Sequence, residues 1–451
     1  MTRAGRIFSL FSLLATSAAW GSPQQNAILG ASGEVYSAKA GTYGELFPQG
    51  NAVDSSHPVL ALEVTTPDGK RERLLVEGTE GPGKDGLPFL HFEDSSETVF
   101  LLWETRFNVV HPMLMLSGYN GKTWIEPLEI IGTPFAPKTS PQFAVTQDVL
   151  EEAGPDGVPV TRRRTVLHLV WGDELSDGSI EAFYSPVILD DGVLVSHSAV
   201  FSLPAFDKSA VSSSDLSPEF AQGLAIRSGR DERTLVVTYP SPRTHRLVTI
   251  EIDSLPAQLG RLSDEARMHI IETGLKHSFP AGYKQVADLA RMHIIETGVR
   301  FQPEIIQAIA AQVAQLILDN KGEDKLEVIA DRARMHIIET GAKLSDRGLR
   351  TGTSTVEIKQ TQADAASRAH LLGFRTVANW PAPTPEVTGK SVRFFPAKSG
   401  KSLIVAWPAN GKIQYLESQD GGWSRVKEMI LSVSLDLDRA YQVLEDKMSR
   451  N

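Results

Sequence analysis

The residues with the clearest chemical potential sit in a nonapeptide, ARMHIIETG, that occurs three times unchanged, at Ala266–Gly274, Ala290–Gly298 and Ala333–Gly341. Each copy offers a guanidinium, an imidazole and a carboxylate: Arg267, His269 and Glu272; Arg291, His293 and Glu296; Arg334, His336 and Glu339. The His and Glu are three residues apart, so on a helix they project from one face. Three such faces could converge on a transition metal inside a bundle. The usual bundle motif runs Glu-x-x-His instead, so no metal is assigned. The same nine residues are candidate binding residues, because three identical helix faces could engage a repeated or symmetric partner. A structural reading stands beside both, in which His and Glu bridge neighbouring helices and the identity records a duplicated DNA element. Packing alone tolerates exchange among apolar residues and does not demand identity. Ala266 and Ile270 share one side of the helical wheel, and Gly274, Gly298 and Gly341 stand where a helix would stop in a left-handed cap.

Other candidates carry less. His168 and Asp173 lie near a strand end in "LHLVWGDE", where an alternating strand places them in ordinary cross-strand contacts. The run Arg162–Arg164 follows "EEAGPDGVPV" and reads as the solvated, charged arm of a hairpin. The sequence holds no P-loop, no dinucleotide glycine motif, no "HExxH" and no "GxSxG". Enzyme classes that depend on those motifs are disfavoured, and neither a catalytic residue nor a cofactor is assigned.

The elements that must position these residues fall into two kinds. From about Gly33 to Ser254, short runs rich in Val, Leu, Phe and Thr alternate with clusters of Asp, Gly, Pro and Ser, the all-β signature. Three strands align: "ETVFLLW" ending at Trp103, "RTVLHLVW" at Trp171 and "RTLVVTY" at Tyr239, with terminal aromatics 68 residues apart in both intervals. A fourth, "KSLIVAW", ends at Trp407. Phe-containing openings precede them: "LPFLHF", "SPQFAV", "SPEFAQ" and "VRFFPA". A fixed period in an all-β chain points to a radial array, because one small sheet cannot bury its own face. The prediction is a mainly β chain, a β-propeller of about five or six blades with an inserted α-helical segment. The insert is residues 256–346, where Ala, Leu, Ile, Glu and Arg take helical spacing, clearest in "PEIIQAIAAQVAQLILDN" at Pro303–Asn320. Propeller parts are expected at 33–255 and 347–434, with a first-blade hairpin turning at Asp68 and Gly69, closure drawing on strands from both ends, and a C-terminal helix in 435–451.

Two segments carry a family resemblance. "SGYNGKTW" (Ser117–Trp124) resembles the Asp box, Ser-x-Asp-x-Gly-x-Thr-Trp, through Ser117, Gly121, Thr123 and Trp124, with Tyr119 at the Asp position. "SQDGGWS" keeps Ser418, Asp420, Gly422 and Trp423 at shortened spacing. The chain therefore resembles the sialidase-like, Asp-box propeller superfamily over roughly residues 85–255 and 370–430. The resemblance implies hairpin turns whose Trp packs between blades, and it implies fold rather than chemistry, since such boxes lie away from the catalytic face. A sialidase would also carry an "RIP"-like motif, three arginines and a Tyr/Glu pair. The sequence shows no "RIP", and no arginine set can be placed from it.

The 451 residues exceed what one core fills, and a net charge of -10 argues against a broad phosphate-binding surface, so nucleic acid is not expected as a partner. Arg3 and Arg6, the apolar run Ile7–Ala15 and the small residues after it read as a secretory signal of residues 1–21, cut after Ala19 or Gly21. No later stretch approaches the roughly 20 apolar residues that span a bilayer. With no cysteine, thiol catalysis and disulfides are excluded. The expected protein is a periplasmic or secreted binding and assembly platform for an envelope protein partner or a glycan, not membrane-spanning once its signal is removed. The competing class is a sialidase-like glycoside hydrolase.

Overall fold

A computed structural model describes residues 27–49, 56–79, 84–86, 88–107, 111–130, 136–153, 159–174, 180–190, 192–196, 201–203, 224–230, 234–241, 246–276, 283–297, 315, 319, 373–381, 383, 392–419, 422–432 and 437–449. Five antiparallel sheets follow one another along the chain as the blades of a five-bladed β-propeller. Blade 1 is Ala27–Leu29, Val35–Thr42, Pro58–Thr65 and Arg71–Leu75. Blade 2 runs from Lys84–Asp85 and Phe89–Glu93 through Thr98–Phe107 and His111–Tyr119 to Trp124–Ile130. Blade 3 comprises Lys138–Ala153, Pro159–Glu174, Ile180–Asp190 and Val193–Ser196, with Phe201–Ser202 added to its third strand. Blade 4 is Ala225–Ser228, Thr234–Ser241, Arg246–Asp253 and Arg375–Pro381. Blade 5 is Arg393–Pro396, Leu403–Ala409 and Lys412–Gln419, edged by Gly422–Trp423 and Lys427–Ile430.

The aromatic-ended segments are the second strands of blades 2 to 5. Trp103, Trp171, Tyr239 and Trp407 are each at most 1% exposed. These strands read as unbroken apolar runs because a blade is covered on both faces by its neighbours, and strand periodicity deals alternate residues to opposite sides. Val99, Leu101 and Trp103 face blade 1, in a core with Tyr36, Leu60 and Leu62. Phe100 and Leu102 face blade 3, where they meet Phe143, Leu167 and Trp171. Leu403, Val405 and Trp407 likewise join Leu247 and Trp380 of blade 4. Each such side chain contributes about 1.5–3 kcal/mol on burial, which is how a chain without disulfides holds the array together.

Among the described residues four helices of known bounds decorate the blades. Helix α1 (Tyr43–Leu46) closes a loop of blade 1 with a Thr42/Glu45 capping box. Helices α2 (Leu255–Lys276) and α3 (Tyr283–Thr297) leave the third strand of blade 4, and the chain returns as that blade's fourth strand, pinned by Arg246 Nε donating to Asn379 Oδ1 at 2.7 Å. The insert therefore splits a blade rather than separating two. Helix α4 (Leu437–Ser449) covers the outer face of blade 5, where Ala440, Tyr441, Leu444 and Met448 pack on Phe395, Ile404, Ala406 and Ile413. Among the described residues no blade combines strands from the two ends of the chain, so the expected closure by strands from both ends is not seen. No described helix is long and apolar enough to cross a membrane.

Two local expectations change. Arg164, read as part of a solvated arm, is buried opposite Asp148, because the hairpin of blade 3 is 16 residues long on each side and its inner half lies under α2 and α3. The predicted stop at Gly274 also moves, since α2 runs on to Lys276.

Candidate functional site

Three of the four Phe-containing openings, at Phe89, Phe143 and Phe394, become first strands of their blades, and first strands line the axis of a propeller. The fourth, at 217–222, lies outside the described residues, and blade 4 opens with Ala225–Ser228. Phe89 and His91 of blade 2, Gln142 to Val145 of blade 3, Ala225 to Ser228 of blade 4 and Arg393 to Pro396 of blade 5 surround a cavity of about 230 Å3, closed on one side by Glu445 of α4. Phe89 meets Phe143 edge-on with ring centroids 5.3 Å apart, and His91 does so at 5.6 Å. These rings form one apolar wall.

The polar side of the cavity is built by two guanidiniums. Arg227 reaches from blade 4 to blade 5 and donates Nη1 to the Pro396 carbonyl at 2.6 Å. Burial lowers its pKa, and the charge of Glu445 opposes that shift. It stays charged, because an arginine side chain does not lose its proton in a protein. Arg393 stacks over the Tyr441 ring at 4.2 Å, an arrangement that orients its guanidinium. Burial pushes the His91 pKa down, with Glu93 and Asp94 acting the other way, so the imidazole is neutral at pH 7. The described lining thus brings together two guanidiniums, one neutral imidazole and one carboxylate. Glu445 is the single carboxylate among the lining residues, so the paired acids of ordinary glycoside hydrolysis are not assembled there.

The Asp-box-like turns lie far out on the blades. In the first, Asn120 does the work expected of the Asp position: its Oδ1 accepts from Lys122 N at 3.1 Å and Thr123 N at 2.9 Å, while Gly121 takes φ +83. Ser117 Oγ donates to the Ile125 carbonyl at 2.7 Å. Trp124 tilts against Tyr119, 5.1 Å between centroids, and packs on the core between blades 1 and 2. In the second, Ser418 Oγ accepts from Leu403 N at 2.8 Å, and Gly422 opens the edge strand. Trp423 Nε1 donates to the Pro381 carbonyl of blade 4 at 2.8 Å. Asp420 lies outside the described residues.

No family model and no curated protein matches the chain. Geometry alone carries the functional reading.

The nonamers divide. In α2, Ala266 and Ile270 are buried while His269 and Glu272 are exposed. Arg267 pairs with Asp288 and Arg291 with Asp264 across the two helices. The side chains of His293 and Glu296, and the whole of the third copy with Arg334, His336 and Glu339, lie outside the described residues. Among the described residues no group of three His, Asp or Glu could hold a metal ion. The segment Pro303–Asn320 is also outside, apart from Gln315 and Asp319.

His168 and Asp173 are both fully buried, and on different errands. Asp173 forms an ion pair with Lys138 Nζ at 2.9 Å. His168 belongs to a hydrogen-bond chain under α2. Its Nδ1 is 2.8 Å from Tyr184 Oη and its Nε2 2.8 Å from Thr146 Oγ1. Burial pushes its pKa down to about 3, so the ring is neutral and holds one proton. Gln258 Nε2 donates to Tyr184 Oη at 3.2 Å, which leaves the phenol proton for Nδ1 and the ring proton on Nε2. Thr146 then accepts from His168 and donates to Asp148, whose carboxylate also accepts from the first N–H of α2, at Leu255. Every donor in the chain has an acceptor. Desolvation raises the Asp148 pKa to about 6 against those two hydrogen bonds.

Sequence reasoning missed His91, Arg227, Arg393 and Glu445. The signal was present in the aligned openings, which put His91 in "LPFLHF" and Arg393 in "VRFFPA", but nothing in one sequence says that these strands meet around one cavity.

Proposed function

We propose that this protein is an exported binding and assembly factor whose axial channel holds the acidic end of a small ligand and whose helical insert docks an envelope partner. The five-bladed propeller is the binding scaffold in this reading. The observation that carries the ligand class is the pair Arg227 and Arg393, each oriented by another protein group, on the wall of a cavity of about 230 Å3. That volume falls below the roughly 300–1,000 Å3 of drug-sized sites, so it suits the acidic terminal residue of a glycan rather than a whole oligosaccharide. Charge-assisted bonds from two guanidiniums supply affinity, about 1.5–3 kcal/mol each. The basic, apolar and small-residue order of residues 1–21 supports export. The turns at Asn120 and Ser418 support kinship with the Asp-box propellers.

The test is an array of uronate- and sialate-terminated glycans beside their neutral counterparts, with hydrolysis followed in parallel. Retention of acidic glycans without turnover is the expected result. Equal retention of neutral glycans would remove the acidic-ligand reading, and turnover abolished by Glu445→Gln would favour the hydrolase. For the insert, a pull-down from an envelope fraction with and without residues 256–346 should lose a partner with the deletion.

A further inference from the structure

The ion pair of Lys138 with Asp173 belongs neither to the channel nor to the seam under α2. Among the described ion pairs it is the driest: the two side chains are 1% and 0% exposed, with Nζ 2.9 Å from Oδ1. The opening of blade 3 sets the pair, because Lys138 and Asp173 are partners on its first and second strands. The backbone holds both in place, since Glu174 N donates to the Pro137 carbonyl at 3.0 Å and Thr139 Oγ1 to the Gly172 carbonyl at 3.3 Å. Cγ of Asp173 is one bond beyond Oδ1. An amine and a carboxyl carbon are therefore kept side by side, with little freedom left to lose on reaction. A third group faces them from blade 2: Glu104 Oε1 accepts from Lys138 N at 3.4 Å, and its charge acts on the Lys138 ammonium.

Holding two opposite charges away from water is expensive, and an amide in their place carries no charge at all. Burial lowers the Lys138 pKa against the pull of Asp173 and Glu104, which makes the neutral, nucleophilic amine accessible. We propose that Lys138 and Asp173 condense into an intramolecular amide bond, with Glu104 carrying the proton, so that the first two strands of blade 3 are joined covalently. The balance closes within the three side chains. A proton passes from Lys138 Nζ to the Asp173 carboxylate, leaving an amine and a carboxylic acid. The amine electron pair then forms the Nζ–Cγ bond. Glu104 takes a proton from the nitrogen and returns it to the departing hydroxyl, the Cγ–O bond breaks with its electron pair, and one water leaves. Nothing is oxidised or reduced, and no co-reactant is needed. The product closes a loop over residues 138–173, the kind of constraint a disulfide supplies, in a chain that has no cysteine.

Mass spectrometry of the trypsin-digested full chain tests this, because trypsin does not cut after an acylated lysine. The bond predicts peptide 123–162, uncut at Lys138, joined to peptide 165–208 and lighter than their sum by one water. Separate peptides 123–138 and 139–162, with no joined species in the wild-type chain, would overturn the proposal. In Asp173→Ala the joined species should vanish and the cut at Lys138 return. A joined species that survives this change would place the bond on another residue and equally sink the proposal. Followed after a pulse of synthesis, Glu104→Gln should join about 10²–10⁴-fold more slowly. Glu104→Asp should recover part of that rate, which damage to packing alone would not do. Joining at the wild-type rate in Glu104→Gln would contradict the proton path given to Glu104.

Discussion

Two histidines on first and second strands, His91 and His168, sit in polar surroundings of opposite kinds. Around His168 every hydrogen-bond donor has an acceptor inside the protein, from Gln258 through Tyr184 and Thr146 to Asp148. Around His91 the polar groups of three further blades face a cavity. A closed network rigidifies and specifies a packing arrangement, here the seating of α2 on blade 3. The cavity beside His91, walled by Arg227 and Arg393, is the place our proposal gives to a ligand. The two regions should therefore fail differently when altered, one in stability alone and the other in binding as well.

The largest effect is expected in the seam. His168→Leu leaves the fully buried Tyr184 hydroxyl without its acceptor and the half-buried Thr146 without its donor, at about 1–3 kcal/mol each. Denaturant unfolding followed by tryptophan fluorescence should show a midpoint lowered by a total of about 2–5 kcal/mol, with ligand affinity of the folded fraction unchanged. A seam variant that lost binding while keeping stability would break the comparison.

Asp148 sharpens it through pH. Its folded pKa, about 6, stands above the unfolded value of 3.8, so the native state binds this proton more tightly than the unfolded chain does. The associated stability is full below pH 3.8 and is lost as pH rises through about 6, amounting to about 3 kcal/mol by linkage. Asp148→Asn should flatten that part of the stability profile and raise stability at pH 8. An unchanged slope between pH 4 and 7 would show that the carboxylate is not held as described.

In the channel the effect reaches affinity. Arg227→Met should weaken binding of an acidic ligand 10- to 100-fold, the loss of one charge-assisted contact of about 1.5–3 kcal/mol, and should also lower stability by about 1–3 kcal/mol because the buried Pro396 carbonyl loses its donor. Isothermal titration on folded protein separates the two. The smallest change belongs to the blade periphery: Asn120→Ala removes turn bonds worth about 0.5–1.5 kcal/mol and should leave both binding and pH dependence alone.

The architecture was legible because burial on both faces writes an unbroken apolar run ending in an aromatic, as at Trp103, Trp171 and Trp407. The insert was legible through its change of period, but its place inside blade 4 was not, because the fourth strand that completes the blade, Arg375–Pro381, returns only after more than a hundred residues. The turn after Ser117 was legible through Gly121 and its polar neighbours, while its acceptor was missed by one residue, since Asn120 rather than the residue at position 119 takes the turn N–H groups. Arg164 looked solvated because burial by a distant helix leaves no local trace. The channel was the least legible feature. His91, Arg227, Arg393 and Glu445 lie on separate elements, each ordinary in its own context, and only ring geometry brings them to one wall.

The most direct test follows from that convergence. Hydrogen exchange should be measured on the wild-type chain with and without a uronate-terminated glycan retained by the array. The account predicts simultaneous protection of four distant peptides, covering residues 89–93, 142–145, 225–228 and 393–396. Protection confined to a single blade, or to the helices of the insert, would contradict it.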